Sequence, residues 1–406
     1  MIETTPDDSF ACKKESMSAV SESKRKCENG SVRTSIPESL SIKLTVVSFF
    51  SACCIVFLHA FENRMKDTGL PGTVWFITLT SRIMTSFAVP VFFVISGYLF
   101  ARKTDFCRKD CSWYILLLKK RSKSLLLPYL AWCTIYACIL IPFTILGNHL
   151  AGRVLTVNTC LQEPLLSLSN LFRIYGVSYD LSPPAAGSLW YIRNLLLLFL
   201  VSPWLVPLMK RRNLAIGYLI LSIMMFILHD WFPRSCWQFF ETGISLRGLF
   251  AFPLGMFFAF YPVKPESFRI LRRTIPFLWL ALSIAGTWLM LDPIPGTEGI
   301  ERILLKLVTL SGICAAWVLP DMIPAFLRAG SWSIAKDSFL LYVIHPGLMG
   351  IIMCARVETF LQAKMHVPVS GIFLLRFLLP LTLSLLVTEC LKRFFPIAHR
   401  FLSGGR

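Results

Sequence analysis

The stretch KLTVVSFFSACCIVFLHAF, Lys43–Phe61, decides how the chain is read. It is apolar over the length of a helix that crosses a bilayer core, and it ends on an imidazole, His59. Glu62 follows one turn further on, on the same helical face. A membrane barrel would show short alternating segments instead of such a block. An ionisable ring at the margin of a lipid-length run needs a reason, because charge inside a membrane is expensive.

The rest of the chain repeats the pattern. Of 406 residues, 55% are hydrophobic and only 16% charged. Mean hydropathy is +0.63, too apolar for a soluble domain to coat itself with polar surface. Apolar blocks fall near 43–61, 75–101, 122–143, 188–208, 214–231, 246–262, 274–291, 302–320, 338–354 and 369–391. These lengths indicate an all-α polytopic membrane protein with about ten transmembrane helices. Residues 1–40 are Ser-rich, mixed in charge and without the apolar core of a signal peptide; they read as a disordered cytoplasmic tail. Residues 41–396 then form the membrane domain and 397–406 a short cytoplasmic tail.

The formal net charge is +18, and the basic residues sit in short loops between blocks. ARKTDFCRKD and KKRSK follow the second block, and KRR at 210–212 follows the fourth. Lys264, Arg269, Arg272 and Arg273 follow the sixth, Arg328 and Lys336 the eighth, and KRFFPIAHR closes the chain. The loops between them, GLPGT, 144–187, DWFPRSCWQFFETG and DPIPGTEG, are poorer in charge. The positive-inside rule therefore sets both termini in the cytoplasm, in a multi-pass cell (inner or plasma) membrane protein. The positive excess is assigned to topology and anionic lipid, not to nucleic acid. The long external stretch 144–187 reads as a lid over an outer mouth. The thirteen cysteines show no metal-ligand spacing. Cys53, Cys54, Cys133, Cys138, Cys314 and Cys390 lie in apolar runs as small hydrophobes, and Cys107 and Cys111 are too isolated for zinc. Cys160 and Cys236 share the external side, with nothing further to pair them.

Polar residues within the blocks gather, under this orientation, in the outer half. They are His59, Arg82 about two turns into the second block, Trp190, Arg193 and Asn194 at the start of the fourth, Arg247 and Arg376. Each has a plainer reading. Arginines near helix ends snorkel to head groups, which suits Arg247 and Arg376 equally well. Trp190 and Tyr191 suit an interfacial aromatic belt. A boundary histidine is often a solvated or hydrogen-bonded ring, and Glu62 serves either to orient it or as an ordinary loop acid. A second group lies deeper: Tyr342 and His345 in SFLLYVIHPGLMG, where Pro346 breaks the backbone ladder, and Ser96, Gly97 and Tyr98 in FFVISGYLF. His345 reads as a packing histidine or a ligand contact, and the small residues at 96–97 as a close helix approach or a ligand path.

Taken in order, these segments resemble the acyltransferase-3 family of integral membrane acyltransferases. IVFLHAF at 55–61 is similar to the family's first-span histidine motif, and AVPVFFVISGYLFARK at 88–103 to its second-span signature. SLWYIRNLLLLFLVSPWL at 188–205 and SFLLYVIHPGLM at 338–349 resemble its fourth-span and late Tyr-x-x-His motifs. KKRSKSLLLPYLAW at 119–132 resembles the basic approach to the third span. The resemblance implies transfer of an acyl group, commonly acetyl, from cytoplasmic acyl-CoA to a hydroxyl of an extracytoplasmic glycan or related cell-surface acceptor. It implies that His59 is the essential histidine. Ser48 stands where many members carry an arginine, which leaves that role unassigned, with Arg82 and Arg193 as candidate cations.

Acylating a hydroxyl needs a base, an activated donor and a partner for the developing oxyanion. His59 is read as the base, with Glu62 to orient it. Arg82 and Arg193 are the candidate cations and Asn194 a neutral donor. Lys120, Arg121 and Lys123, with Lys119, are read as holding the phosphates of acyl-CoA as co-substrate, with no bound cofactor or metal. The acyl arm is read as passing Ser96, Tyr98, Trp190, Tyr342 and His345. A transporter of a small acylated or glycosidic substrate is the competing reading, since intramembrane histidine and arginine also line transport paths.

Overall fold

The computed structural model describes residues 37–61, 70–104, 112–150, 174–176, 189–233, 244–262, 269–322, 333–352 and 355–405. Among these the chain is helical, without strands. Glu62, Cys107, Cys111, Cys160, Cys236 and most of the 144–187 stretch lie outside the described residues, so the roles expected of them have no structural counterpart here.

Helix α1 (Glu38–Ala60) is followed by α2 (Pro71–Lys103). Proline at the start of α2 suits a first helical turn, where its missing N–H has no partner to lose. A wide π turn, Thr78–Ile83, interrupts α2 and carries Arg82. Next come α3 (Ser112–Arg121), a second π turn (Ser122–Leu126) and α4 (Leu127–Leu150). Helices α5 (Trp190–Leu200) and α6 (Ser202–Lys210) meet at a 67° bend where one straight span was expected. Pro203 supplies the reason, since its ring starts a new first turn and cannot continue the old ladder. The remainder are α7 (Arg212–Leu228), α8 (Leu246–Phe260), α9 (Arg269–Leu291), α10 (Glu298–Met322), α11 (Ser338–Ile352), α12 (Ala355–Met365), α13 (Val369–Phe394) and α14 (Pro396–Leu402).

Over its described residues each apolar block is largely helical, but membrane crossing by length is a stricter test. Six of the described helices are long and apolar enough to cross a membrane, and seven if the bent α5–α6 pair is one span. Helix α8 is apolar but short. The outward faces carry Phe277, Trp288, Leu386 and Ile270, all well exposed, an arrangement that lipid satisfies and water does not.

Charges collect at the two ends. Lys43 at the start of α1 and Arg272 at the start of α9 both pair with Asp321 at the end of α10, at 2.8 and 3.1 Å. At the same end Asp337 holds Lys392 and His399 at 3.3 and 3.1 Å. Some 22 Å away by helical rise along α10, Lys306 pairs with Asp230 at 3.1 Å.

The most extensive helix pairing joins α2 to α8. They run parallel, since Phe93 faces Gly248 while Gly97 faces Phe252. A Cβ added to Gly97 would stand 1.9 Å from the Phe252 carbonyl oxygen, and one added to Gly255 would stand 2.0 Å from that of Val94. The two backbones touch, which supports close helix approach as the reason for the small residues in ISGYL. Phe100, Phe199 and Phe252 interlock beneath with ring centroids 5.5–5.7 Å apart. Gly97→Ala and Gly255→Ala should each cost about 1–3 kcal/mol through overpacking, read as a lower melting temperature in detergent. Gly217→Ala, whose Cβ meets nothing within 4 Å among the described residues, should not lower it and, being within α7, should raise it slightly.

Candidate active site

His59 is one residue from the end of α1, where the chain turns extended at Phe61. The Arg82 guanidinium lies 5.5 Å from the Phe61 ring centroid, which brings the π turn of α2 beside the end of α1. His59 is exposed on one side. On the other its ring meets that of His345, centroids 5.5 Å apart and tilted by 37°. His345 is fully buried in α11. Its Nδ1 is 3.1 Å from the Leu341 carbonyl oxygen, which can only accept, so Nδ1 carries the proton. Among the described residues its Nε2 has no hydrogen-bond partner.

A third element closes on the pair. Arg376, two turns into α13, lies between Phe373 and Phe377, whose rings pack against Phe57 of α1 at 5.1 and 4.8 Å between centroids. It is bound to Glu358 of α12, both side chains being nearly buried at 11% and 9% exposure. Sequence reasoning left Arg376 divided between snorkel and function and did not single out Glu358. Nothing along one chain shows that a carboxylate in one helix will meet an arginine in the next.

From His345 the polar groups continue toward the end that carries Lys43 and Asp321. Tyr342 is one turn lower in α11, its ring 6.2 Å from that of His345. It meets Tyr191 of α5 at 5.8 Å, and both touch Phe92 of α2. The Tyr191 hydroxyl is 3.0 Å from Ser96 Oγ and donates to the Phe92 carbonyl at 3.2 Å. Sequence reasoning favoured Tyr191 as a belt residue; the structure buries it in this line. Since Tyr191 sits beside Phe92 and Ser96, α5 opens partway down α2 and not at its Pro71 end. Trp190, 6.3 Å from Phe93, lies at this same depth, so the expected outer-half gathering divides into two levels.

Other sequence candidates are engaged elsewhere. Arg193 donates to the Gly176 carbonyl at 3.0 Å, beside Tyr129, whose hydroxyl donates to the Tyr175 carbonyl at 2.6 Å. Asn194 donates to Trp190 at 3.0 Å and accepts the Ser245 N–H, tying α5 to the start of α8. Tyr98 is half-buried on α2 against α8. Arg121 stacks over Phe199 at 4.4 Å, while Lys119, Lys120 and Lys123 are exposed around it. Among the described residues no histidine, cysteine and carboxylate group is arranged to hold a metal ion.

The acyltransferase-3 model, an acyltransferase domain, matches residues 43–389, most of the chain. The chain belongs to the acyltransferase-3 family and is a multi-pass membrane acyltransferase. No curated protein and no solved structure matches it.

The ion pair beside His59 is open to a stability test. Removing either charge takes this partner from the other, nearly buried charge, which should cost about 3–5 kcal/mol. Replacing both, Glu358→Leu with Arg376→Met, should recover most of the lost melting temperature in detergent. A double variant as unstable as the singles would contradict the coupling.

Proposed function

We propose that the protein transfers an acyl group, acetyl by first choice, from cytoplasmic acyl-CoA to a hydroxyl of an extracytoplasmic glycan or other cell-surface acceptor. The observation that carries this reading is the His59 imidazole, open on one side and backed by a buried imidazole on the other. It lies in the half of the bundle away from the basic run at 119–123.

In this reading ten apolar helices cross the membrane and both termini face the cytoplasm. Lys119, Lys120, Arg121 and Lys123 stand at the inner face, where they bind the phosphates of the donor. Arg121 is level with Phe100, and His345 is about level with Val89, a rise of roughly 16 Å along α2. An extended phosphopantetheine arm is of comparable length. It reaches the site by parting the rings of Phe92, Tyr191 and Tyr342, with Ser96 and Tyr98 beside its course and Trp190 at the same level. The acceptor hydroxyl enters from outside. His59 removes its proton as the oxygen attacks the thioester carbonyl, the C–S bond breaks, and His59 returns the proton to the thiolate. Arg82 and Arg376 supply positive charge for the oxyanion formed on the way. Arg193 and Asn194 support this indirectly, through the segment and helix start that they hold in place.

Native membranes supplied with radiolabelled acetyl-CoA should place label in the surface-glycan fraction. His59→Ala should lower that incorporation at least ~100-fold, as loss of a general base does. Full incorporation by a folded His59→Ala protein would remove His59 from the chemistry. Flux of a glycoside across proteoliposomes without acetyl-CoA turnover would favour transport. Cysteine labelling at positions 120 and 212 from the cytoplasmic side alone would support the orientation, and labelling from outside would overturn it.

A further inference from the structure

The late helix α11 carries a device that the reading above does not use. Pro346 has no N–H, so the Tyr342 carbonyl loses its helical donor. One step on, an unbroken helix pairs the Gly347 N–H with the Val343 carbonyl. In this protein the Tyr136 hydroxyl of α4 stands between those two groups. It donates to the Val343 carbonyl at 2.6 Å and accepts the Gly347 N–H at 3.0 Å. The approach depends on Gly347, since a Cβ there would be 3.1–3.3 Å from the Tyr136 ring and hydroxyl. A side chain inserted into the ladder locally resets a helix. The reset segment, 343–347, is the one that holds His345.

His345 is then a ring with one nitrogen committed and one spare. Nδ1–H is bonded to Leu341, and Nε2 of the neutral ring, buried from solvent, offers a lone pair that meets no donor among the described residues. A buried acceptor left unmet costs stability unless something uses it. The group beside it is His59. The nearby cation, Arg376, is bound to Glu358.

We propose that His345 accepts an N–H of His59 through Nε2 and so fixes which nitrogen of His59 faces the acceptor, and that Tyr136, spliced into α11, is the positioning residue that holds His345 for this. A small rotation of the accessible His59 ring closes the hydrogen bond. His59 then presents its other nitrogen, as a lone pair, to the acceptor hydroxyl. When it takes that proton, the imidazolium keeps its bond to His345, and the same proton leaves on the thiolate. No proton moves to His345. It orients the base as the carboxylate of a catalytic triad does, without adding a charge to the membrane interior.

The proposal rests on His59 acting as the base, and the experiment separates the two. Native membranes carrying each variant at equal level are given radiolabelled acetyl-CoA, and kcat and KM for acetyl-CoA are read from label in the glycan fraction. His345→Leu should lower kcat about 100-fold with KM within about threefold of the parent. His345→Gln, whose side-chain oxygen reaches the position of Nε2, should recover at least about tenfold of that loss. Tyr136→Phe keeps the ring, removes only the hydroxyl, and should lower kcat about tenfold with KM unchanged. Elution of each protein as a single peak in detergent establishes that it is folded. If His59→Ala is inactive but His345→Leu keeps kcat within twofold, the relay is wrong and the base assignment stands. Equal loss in His345→Gln and His345→Leu also overturns the relay, because packing alone would then account for it. An active His59→Ala removes both readings.

Discussion

Two glycines permit the contact on which the rest of the molecule depends. Gly97 and Gly255 bring α2 and α8 together backbone to backbone, and neither position has room for a single added methyl. In lipid, helices gain little from hydrophobic burial against each other, so close van der Waals approach carries the association. That approach sets the level of α5, which is tied to the start of α8 through Asn194 and to α2 through Tyr191 and Ser96. It also aligns Phe92 with Tyr342, and through Tyr342 the height of His345. A contact between two featureless backbones thus determines where an imidazole in a third helix stands.

The site itself is economical in charge. One guanidinium in it, Arg376, is paired with a carboxylate on the neighbouring helix, a second, Arg82, lies beside the end of α1, and two imidazoles face each other where α1 meets α11. Toward the Lys43 and Asp321 end the polar groups are uncharged hydroxyls of Tyr342, Tyr191 and Ser96, carried on aromatic and small side chains. Such a line can admit a thioester without stabilising any ion along the way, which keeps the cost of polarity inside the membrane low.

Much of this was legible in the sequence, and the part that was not has a common cause. Hydropathy reports how long a block is, so the described part of every apolar block is largely helical, and the ordered motifs around His59, Ser96, Trp190 and His345 point to the family that the comparison bears out. Hydropathy does not report depth. The bend after Leu200 and the start of α5 partway down α2 therefore separate Trp190, Arg193 and Asn194 from the level assigned to them. Nor does it report rotation about the helix axis. Arg376 stayed divided between a snorkelling and a functional reading because its partner, Glu358, lies on another helix. Tyr136 looked like any tyrosine in an apolar run. Its one sequence signal was Pro346–Gly347 in α11, a broken ladder step that something had to fill.

The central claim is that one imidazole, His59, serves a donor from the cytoplasmic side and an acceptor from the other. Sealed native membrane vesicles of known sidedness test this directly, with labelled acetyl-CoA supplied to one face only and the glycan on each face analysed separately. The account predicts that donor at the cytoplasmic face alone labels glycan on the opposite face. Labelling that requires donor on the same side as the acceptor would contradict it.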